Sequence, residues 1–556
     1  MLIGGKNMKQ SNEFKKRVCY QIYPASFMDS NNDGWGDIQG IISKLDYLKD
    51  LGVGMIWLSP VYVSPLDDMG YDIADYKNIN PLFGTMDDFD ELLKEAEKRD
   101  IKIVMDLVVN HTSTEHKWFK EAIKEEENKY RDYYFIKKGK PNGKMPNNWQ
   151  SVFSGCAWKK IPSLNGYYYM HLFCDTQADL NYKNEEVVKE VEGIIKFWLD
   201  KGVYGFRCDV INHLYKTSLK DDHTRFLYGK GSKYYLNQEG MYEVLGCFRS
   251  DVLDNYDTFL VGETGSITTE IGKRLINDRC LDMFFEFEHL NAVRSSLLPV
   301  FKKKLKPKNL MNIIYKWQKE IPRMAVYFEN HDQLRLINVY GDPDKYRKES
   351  AKMMAMLLLT LKGTPFIYQG QEIGMMNNPN LTLKETNDIC AHMVAETFKK
   401  IFVFSKEETV SKRICETLNR DQARSPMQWN ENLNGGFNKG AKTWIPIHDD
   451  FGKINVEKEL KEENSILNFY KEIIAFRNQD EVLLNGEIEK EIFSNSIVAY
   501  KRIYNKKSYL VLLNFSKKKA KYAAKVQLNC KICNYKGEID FNNLSPYFAG
   551  LFEIEY

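Results

Sequence analysis

The sequence MDDFDELLKEAEKRDIKIVMDLVVNHT, residues 86–112, contains the unit from which the fold is predicted. Apolar residues at helical spacing fill its first half, and a run of apolar residues follows at 103–109. The run is continuous rather than alternating, which is typical of a strand buried on both faces of a parallel sheet. Polar residues, Asn110 to Thr112, follow directly. The unit is therefore a helix followed by a buried strand with a polar end.

Runs of this kind recur along the chain, separated by helical patterns such as IQGIISKLDYLKDLG and NEEVVKEVEGIIKFWLDKG. The eight predicted strands are 18–23, 55–59, 103–109, 204–209, 258–262, 281–285, 324–328 and 365–368. Asp87 and Asn184 lie near the starts of two helices, as N-terminal signals should. Eight strand–helix units predict an α/β fold with a parallel sheet that closes into a (β/α)8 TIM barrel.

Two long stretches interrupt the repeat. Residues 112–182, between the third and fourth strands, are rich in Tyr, Trp, Asn and Gly, and a second stretch of about 371–444 follows the eighth strand. Segments of that length in a compact fold are usually lids or subdomains. From about residue 480 the pattern becomes short and alternating, which predicts antiparallel strands. We expect a barrel from 1–111 and 183–478, an inserted B subdomain at 112–182 and a C-terminal β-sandwich-like domain at 479–556.

Composition narrows the class of protein. The 556 residues are 43% hydrophobic and 28% charged with a net charge of +3, the balance of a soluble globular protein. No basic block predicts a nucleic-acid partner, and no apolar run is long enough for a membrane span. The first residues lack the pattern of a secretory signal, so we expect a cytoplasmic protein.

The ten cysteines fit a reducing compartment, because they are scattered along the chain. Only Cys530 and Cys533 form a CxxC. A single CxxC without a second pair or a His partner is weak evidence for a metal or redox site, so free thiols and such a site both remain open.

The predicted strand ends are unusually rich in ionisable residues. They carry Asp106, His111, Arg207, Asp209, Glu263, His331 and Asp332. Active sites of (β/α)8 barrels lie at the carboxyl ends of the strands. Buried charge must be paired, so this many ionisable groups on one rim indicate a functional site.

The motifs around these residues carry a family resemblance. In chain order they are QIYPASFMDSNNDGWGDIQGI, WLSPVYVSPLDDMGYDI, MDLVVNHTS, HLFCDTQADLNY, GFRCDVIN, GETGS, NHDQLR and ARSPMQW. Over essentially its whole length the chain resembles glycoside hydrolase family 13, the α-amylase family, and within it the oligo-1,6-glucosidase and α-glucosidase group. It departs from the usual pattern at Ala25, Cys208 and Leu334, which stand where Arg, an aliphatic residue or Met, and Pro are common.

The resemblance implies a retaining mechanism with no cofactor in catalysis. Asp209 would be the nucleophile, Glu263 the general acid/base, and Asp332 would bind sugar hydroxyls and favour the transition state. A retaining pair of carboxyl groups lies about 5–5.5 Å apart. Arg207, two residues before Asp209, is expected to lower the pKa of that carboxylate and keep it ionised.

The resemblance also implies a closed pocket for short oligosaccharides, from which one glucose is released at a time. Its substrate-binding residues would be Asp68, Tyr71, His111, Phe153, Phe173, Gln177, Arg207, Val210, His331 and Arg424. Asp68 and Arg424 would grip the terminal hydroxyl, and Tyr71 would stack on the ring. His111 and His331 would donate hydrogen bonds to it, whereas Gln177, Phe153 and Phe173 would line the pocket mouth. A monomer and a homodimer are both compatible with the sequence.

Val210, directly after the nucleophile, correlates in the resembling group with α-1,6 linkages, whereas Ala or Thr there goes with α-1,4. We therefore expect a lean towards isomaltose-type substrates. The alternatives are an α-1,4-glucosidase, a sucrose or trehalose-6-phosphate hydrolase of the same family and, remotely, an inactive binding subunit.

The loop at residues 29–37 has oxygen-bearing side chains at alternate positions, like the first half of an EF-hand, but Gly40 stands where the bidentate Glu would be. The resemblance implies a structural Ca²⁺ site there, formed by Asp29, Asn31, Asp33, Asp37 and the Trp35 carbonyl.

Overall fold

The computed structural model describes residues 14–555 apart from 15, 125–127, 142, 225–228, 295–302 and 402–406. All eight predicted strands are present in one parallel sheet: β1 Val18–Ile22, β2 Val53–Leu58, β3 Lys102–Leu107, β4 Gly205–Cys208, β5 Phe259–Glu263, β6 Met283–Phe285, β7 Ala325–Val326 and β8 Thr364–Tyr368. Their order is β6-β5-β4-β3-β2-β1-β8-β7. Because β6 and β7 lie beside each other, the sheet closes, and the prediction of a (β/α)8 barrel is confirmed.

The α-helices surround this sheet or lie in the two long segments that follow β3 and β8. They are Ile38–Ile42, Leu45–Leu51, Met86–Lys98, Lys117–Ala122, Glu185–Asp200, Ser232–Tyr235, Glu239–Cys247, Thr269–Asn277, Pro307–Glu320, Leu336–Tyr340, Arg347–Thr360, Ile389–Ile401, Glu407–Thr417, Val456–Lys461, Ile466–Gln479 and Glu481–Asn485. Asn184 caps one helix by accepting the Glu186 amide. Thr85 and Asp88 form a capping box at another, so Asp87 lies inside the first turn.

Strand register places the ionisable residues in one layer. Arg207 of β4 pairs with Asp106 of β3 on one side and with Val261 of β5 on the other. Side chains alternate between the two faces of a strand, so residues two positions further along share the inward face. Asp209 and Glu263 follow at that spacing. Beneath them the barrel interior is filled by apolar side chains, among them Trp57, Val104, Phe259, Phe285 and Phe366.

The two long stretches that interrupt the repeat, 112–182 and about 371–444, both begin at strand ends on the same rim of the barrel; we call them the two excursions. After β3 the chain forms the strand His111–Ser113, which pairs with Gln177–Asp179 just before the chain returns to β4. Between these two strands lies a small sheet of Ile136–Lys138, Tyr167–Met170 and Trp158–Lys160. After β8 the chain folds into the helices Ile389–Ile401 and Glu407–Thr417. The two excursions touch, since the hydroxyls of Ser154 and Thr397 are 2.7 Å apart.

The C-terminal part is one antiparallel sheet of β9 Glu487–Phe493, β10 Ile497–Tyr504, β11 Lys507–Asn514, β12 Gln527–Cys533 and β13 Ala549–Glu555, in the order β9-β10-β11-β13-β12. One face packs on the barrel helices, including Arg347–Thr360. The other face is covered by Tyr522, Phe541 and Phe548 from the segment between β11 and β13. That segment takes the place of the second sheet that a sandwich would have. Among the described residues no helix has the length and apolarity needed to cross a bilayer.

Candidate active site

Arg207 is the centre of the site. Its Nη1 is 2.7 Å from Asp106 Oδ1 and 2.7 Å from Asp209 Oδ1, and its Nη2 is 2.6 Å from Glu263 Oε2. Only 2% of the Arg207 side chain is exposed. Asp209 and Glu263 therefore lie within the span of a single guanidinium group. A shared guanidinium is compatible with the separation of about 5–5.5 Å in a retaining pair of carboxyl groups.

Residues outside the pair fix Arg207 in place. Asp106 accepts hydrogen bonds from the Trp57 indole at 2.9 Å and from the Tyr71 hydroxyl at 3.1 Å. The Trp57 ring also lies against the guanidinium, with 4.9 Å between Arg207 Cζ and the ring centroid. A guanidinium whose hydrogen bonds and stacking contact are all fixed holds its carboxylate partners in one geometry.

The turn after Asp209 reaches the second carboxylate. Val210 has a φ of 35°, in the left-handed region that a β-branched residue avoids. In this conformation the Val210 amide donates to Glu263 Oε2 over 3.2 Å. The strained turn therefore ties the strand that carries Asp209 to the side chain of Glu263.

The carboxylates share too little positive charge to be ionised together. Burial raises the pKa of Asp209 well above its ordinary value; Arg207 acts against this, and Glu263 and Asp106 add to it. Burial likewise raises the pKa of Asp106, to about 6. The expected lowering by Arg207 thus exists, but desolvation and like charges outweigh it, and the sequence-based expectation for Asp209 was wrong in sign. A cluster of this kind holds a proton near neutral pH, which acid catalysis requires.

A second ionic cluster is centred on Arg420. Arg420 Nη2 is 2.9 Å from Asp68 Oδ1, and its Nη1 is 3.4 Å from Asp332 Oδ1. Arg420 also pairs with the fully buried Asp388 at 2.8 Å. Arg424 instead contacts Asp332 at 3.0 Å and donates to the His331 carbonyl. The ion-pair partner of Asp68 is Arg420, which the sequence analysis did not identify as a site residue. The two arginines stand four residues apart in RDQAR, and this spacing was the available signal.

Asp332 and His331 have opposite roles in hydrogen bonding. Burial acts to raise the pKa of Asp332, but Arg420 and Arg424 help to hold it well below its usual range, so it is ionised. Burial lowers the pKa of His331 to about 3, so the ring is neutral. The Gln21 amide nitrogen lies 2.8 Å from His331 Nδ1, which must then accept. The proton of His331 is therefore on Nε2, 3.3 Å from Asp332 Oδ2.

The remaining predicted residues form the walls and the floor. The Tyr71 ring lies parallel to His331, with centroids 5.2 Å apart. His111 Nε2 is 3.0 Å from the Tyr71 carbonyl, to which it donates. Gln177 donates to Asp68 over 3.2 Å and is only 1% exposed, so it supports the floor rather than the mouth. Phe153 and Phe173 contact each other edge to face, and Phe153 also lies against Arg420.

The predicted metal-binding loop bonds to itself in this structure. Asp29 accepts the amides of Asn32 and Gly34, and Asp37 accepts those of Ser30 and Gly40. Asp33 accepts from Asn31 and from the Trp35 amide. Over the described ranges no three His, Cys, Asp or Glu side chains come together as metal ligands.

The pKa of Asp106 gives a prediction on stability. Its folded pKa of about 6 lies above the value of about 4 in an unfolded chain. The protonated form is thus favoured by folding, and the stability it contributes is lost as the pH rises through about 6. Asp106→Asn cannot ionise, so the difference in melting temperature between variant and wild type should move in the variant's favour from about pH 4 to 7.

The matched control is Asp200→Asn, which removes an exposed carboxylate that pairs with Lys196. The difference in melting temperature between Asp200→Asn and wild type should not change with pH above about pH 5. A difference for Asp106→Asn that is equally flat would contradict the proposed titration.

Comparisons with known proteins identify the family. The family model "Alpha amylase, catalytic domain" matches residues 21–486. The oligo-1,6-glucosidase of Parageobacillus thermoglucosidasius is 45% identical over 518 residues, 91% of each chain. The crystal structure of Bacillus licheniformis trehalose-6-phosphate hydrolase is similar with a TM-score of 0.91 at 39% identity, covering 98% of this chain and 100% of that one. The isomaltulose synthase of Klebsiella sp. LX3 reaches 0.92 at 34% identity, covering 98% and 99%. The chain therefore belongs to the α-amylase family of glycoside hydrolases, glycoside hydrolase family 13.

Proposed function

We propose that this protein is a retaining exo-α-glucosidase that removes the terminal glucose from short oligosaccharides and prefers α-1,6 linkages. The observation that carries the proposal is the bridging of Asp209 and Glu263 by Arg207, together with the Asp68–Arg420 ion pair on the same rim of the barrel. The first cluster supplies the chemistry, and the second limits the substrate.

The reaction proceeds in two displacements. In the substrate complex the proton held by the cluster lies on Glu263, and Asp209 is ionised. Glu263 protonates the glycosidic oxygen while Asp209 attacks the anomeric carbon, which forms a glucosyl–enzyme ester and releases the remaining sugar. Glu263, now ionised, takes a proton from water, and that water releases glucose from Asp209. The ionised Asp332 and the neutral His331 stand beside this pair as an acceptor and a donor for sugar hydroxyls. Every proton is returned at the end of the cycle.

The second cluster favours exo-action. Arg420 joins Asp68, Asp332 and Asp388, which come from three different strand ends or excursions. Together with the parallel rings of Tyr71 and His331, this network closes one side of the site. A chain that continued past the terminal glucose would have to displace these buried ion pairs, and breaking such pairs is strongly unfavourable.

The linkage preference rests on Val210 and on the relatives. The relatives named oligo-1,6-glucosidase include that of Bacillus cereus, which is 42% identical over 568 residues, 98% of this chain and 99% of that one. Val210 is half-buried and packs in the cluster that contains Phe153 and Phe173. We infer that its branched side chain acts on the sugar beyond the scissile bond.

One observation favours a second candidate, a hydrolase of phosphorylated disaccharides. Arg294 follows β6 and is half-buried. Burial lowers its pKa, and this lowering is partly offset by Tyr340, Tyr327 and Asp332, which raise it. In the part of the chain that the structure describes, no ion pair of Arg294 is recorded. A partly desolvated guanidinium near Asp332 is suited to bind a substrate phosphate. Trehalose-6-phosphate hydrolase of Bacillus subtilis is 41% identical over 519 residues.

A substrate panel separates these candidates. Purified protein is incubated with isomaltose, maltose, sucrose, trehalose 6-phosphate and soluble starch, and released glucose is measured. We expect isomaltose to react fastest and starch barely at all. If trehalose 6-phosphate reacts best and Arg294→Gln raises its KM alone, the second candidate is correct. Rapid depolymerisation of starch into long fragments would contradict the closed pocket.

Asp209→Asn tests the nucleophile. Asn cannot form the glucosyl ester, so kcat on isomaltose should fall by at least about 10⁴-fold. Because burial already raises the pKa of Asp209, a neutral isostere should leave the melting temperature close to that of wild type. The matched control is Asp254→Asn, at an exposed aspartate that pairs with Arg279, and it should keep full activity. Near-normal turnover by Asp209→Asn would refute the assignment.

Val210→Ala tests the linkage preference because it removes the branched part of the side chain. It should shift the ratio of kcat/KM for isomaltose to that for maltose towards maltose, by about tenfold. Val210 contacts Glu263 through its backbone amide, so activity on an aryl α-glucoside should change little. An unchanged ratio would show that another residue sets the preference.

Calcium at loop 29–37, a cytoplasmic location and the choice between monomer and homodimer stay proposals. The oxygen-only donors suit Ca²⁺, and the ten free thiols suit a reducing compartment. A calcium site would stabilise the loop far from the chemistry, so a chelator should lower the melting temperature and added Ca²⁺ should restore it. An unchanged melting temperature would mean that the loop's own hydrogen bonds are sufficient.

A further inference from the structure

Cys530 and Cys533 lie in β12, the edge strand of the C-terminal sheet. Successive side chains of a regular strand point to opposite faces, so two residues three positions apart would normally be separated by the sheet. A CxxC in a regular strand could not bring its thiols together.

A β-bulge changes this arrangement. Opposite β13, Cys530 pairs with Phe552 and Cys533 pairs with Gly550, and the register shifts between Cys530 and Ile532. Phe552 and Gly550 are two positions apart and therefore share a face, so the two cysteines share that face as well. The extra residue is Lys531.

The residues between the cysteines support the same geometry. Ile532 is buried in the main core, together with its partner Leu551. Lys531 pairs with Glu553, which lies on the same side as Leu551, over 2.6 Å. Both residues between the cysteines thus occupy one face, and both thiols occupy the other.

Each of the two thiols, which share one face of the sheet, shifts the pKa of the other. The hydrogen bond between them lowers the pKa of Cys533 to about 7 and raises that of Cys530 well above its usual value. The Cys533 thiol donates to the Tyr535 carbonyl over 2.9 Å, and its Sγ lies 3.4 Å from the Tyr535 amide nitrogen, which can donate to the sulfur once the thiol has ionised. Cys530 is exposed, so small molecules can reach the pair. A low-pKa thiol beside an accessible second thiol is the arrangement of reactive dithiols.

We propose that Cys530 and Cys533 form a redox-active dithiol, which low-molecular-weight disulfides convert into an intramolecular disulfide. The Cys533 thiolate attacks one sulfur of the small disulfide, and one small thiolate leaves. The Cys530 thiol loses its proton and attacks the Cys533 sulfur of this mixed disulfide, and the second small thiolate leaves. The protein is oxidised by two electrons and the small disulfide is reduced to two thiols.

This site lies apart from the catalytic rim. The residue that follows Cys533, Asn534, bonds to the carbonyls of Glu349 and Tyr547 and so connects the edge strand to the barrel helix Arg347–Thr360. Oxidation of the two cysteines would affect this contact between the edge strand and the helix. The proposal therefore does not depend on the proposed function.

The experiment uses the full-length protein with oxidised glutathione at neutral pH. Remaining thiols are alkylated, and the protein is denatured and digested with trypsin. Cleavage after Lys525, Lys531 and Lys536 gives the separate peptides VQLNCK and ICNYK, residues 526–531 and 532–536, each with one cysteine. We expect the two peptides joined, lighter by two hydrogen atoms than their sum, and separated again by a reductant.

Single serine variants test the order of the steps. Cys533→Ser should leave Cys530 unmodified or bound to glutathione, with no joined peptide. Cys530→Ser removes the hydrogen bond that lowers the pKa of Cys533, so the reaction of Cys533 near pH 7 should slow by about three- to tenfold. The matched control is Cys156→Ser with Cys247→Ser, which removes two exposed thiols and should leave the joined peptide unchanged.

The proposal is overturned if both peptides are recovered separately alkylated after an exposure to oxidised glutathione that modifies Cys156. It is also overturned if each of the two cysteines carries its own glutathione.

Discussion

One buried guanidinium shared by three carboxylates determines how the rest of this protein is built. Arg207 contacts Asp106, Asp209 and Glu263, which come from three neighbouring strands or the residues directly after them. A charge removed from water is strongly unfavourable without close partners. The strands β3, β4 and β5 must therefore keep their register, because a slip of one residue would turn each inward group to the opposite face. The same contacts of Arg207 therefore fix the register of these strands and the positions of the catalytic carboxylates.

The second cluster follows the same principle with a different result. Arg420 and Arg424 both contact Asp332, and Arg420 continues to Asp68 and Asp388. In the first cluster three carboxylates share one arginine, so it can hold a proton. In the second the cations help to keep Asp332 ionised. Fixed charges of this kind, in a site shielded from water, stabilise a positive charge that develops in the transition state, because no dipoles have to reorient during the reaction. The first cluster thus serves proton transfer, and the second serves the stabilisation of charge.

The sequence predicted those features that depend on pattern. The eight strands were found because strands buried on both faces are continuous apolar runs, and their polar ends identified the rim. The pairing of Asp68 with Arg420 was missed because Arg420 lies in a long excursion whose path depends on tertiary contacts such as that with Asp388. Gln177 was placed at the mouth because local sequence does not report depth. The sign for Asp209 was wrong because a charged neighbour can be read from the sequence, whereas desolvation depends on everything packed around it. The bulge at Lys531 is likewise visible only in the pairing with β13.

The central claim is that Asp209 and Glu263 are close enough to act as nucleophile and acid/base of a double displacement. The configuration of the glucose that first leaves the enzyme tests it most directly. Proton NMR during the first turnovers, before the anomers equilibrate, distinguishes α- from β-glucose. Two displacements retain the α-configuration of the substrate, so the account predicts α-glucose as the first product. Initial release of β-glucose would mean a single displacement by water between more distant carboxylates, and it would contradict the account.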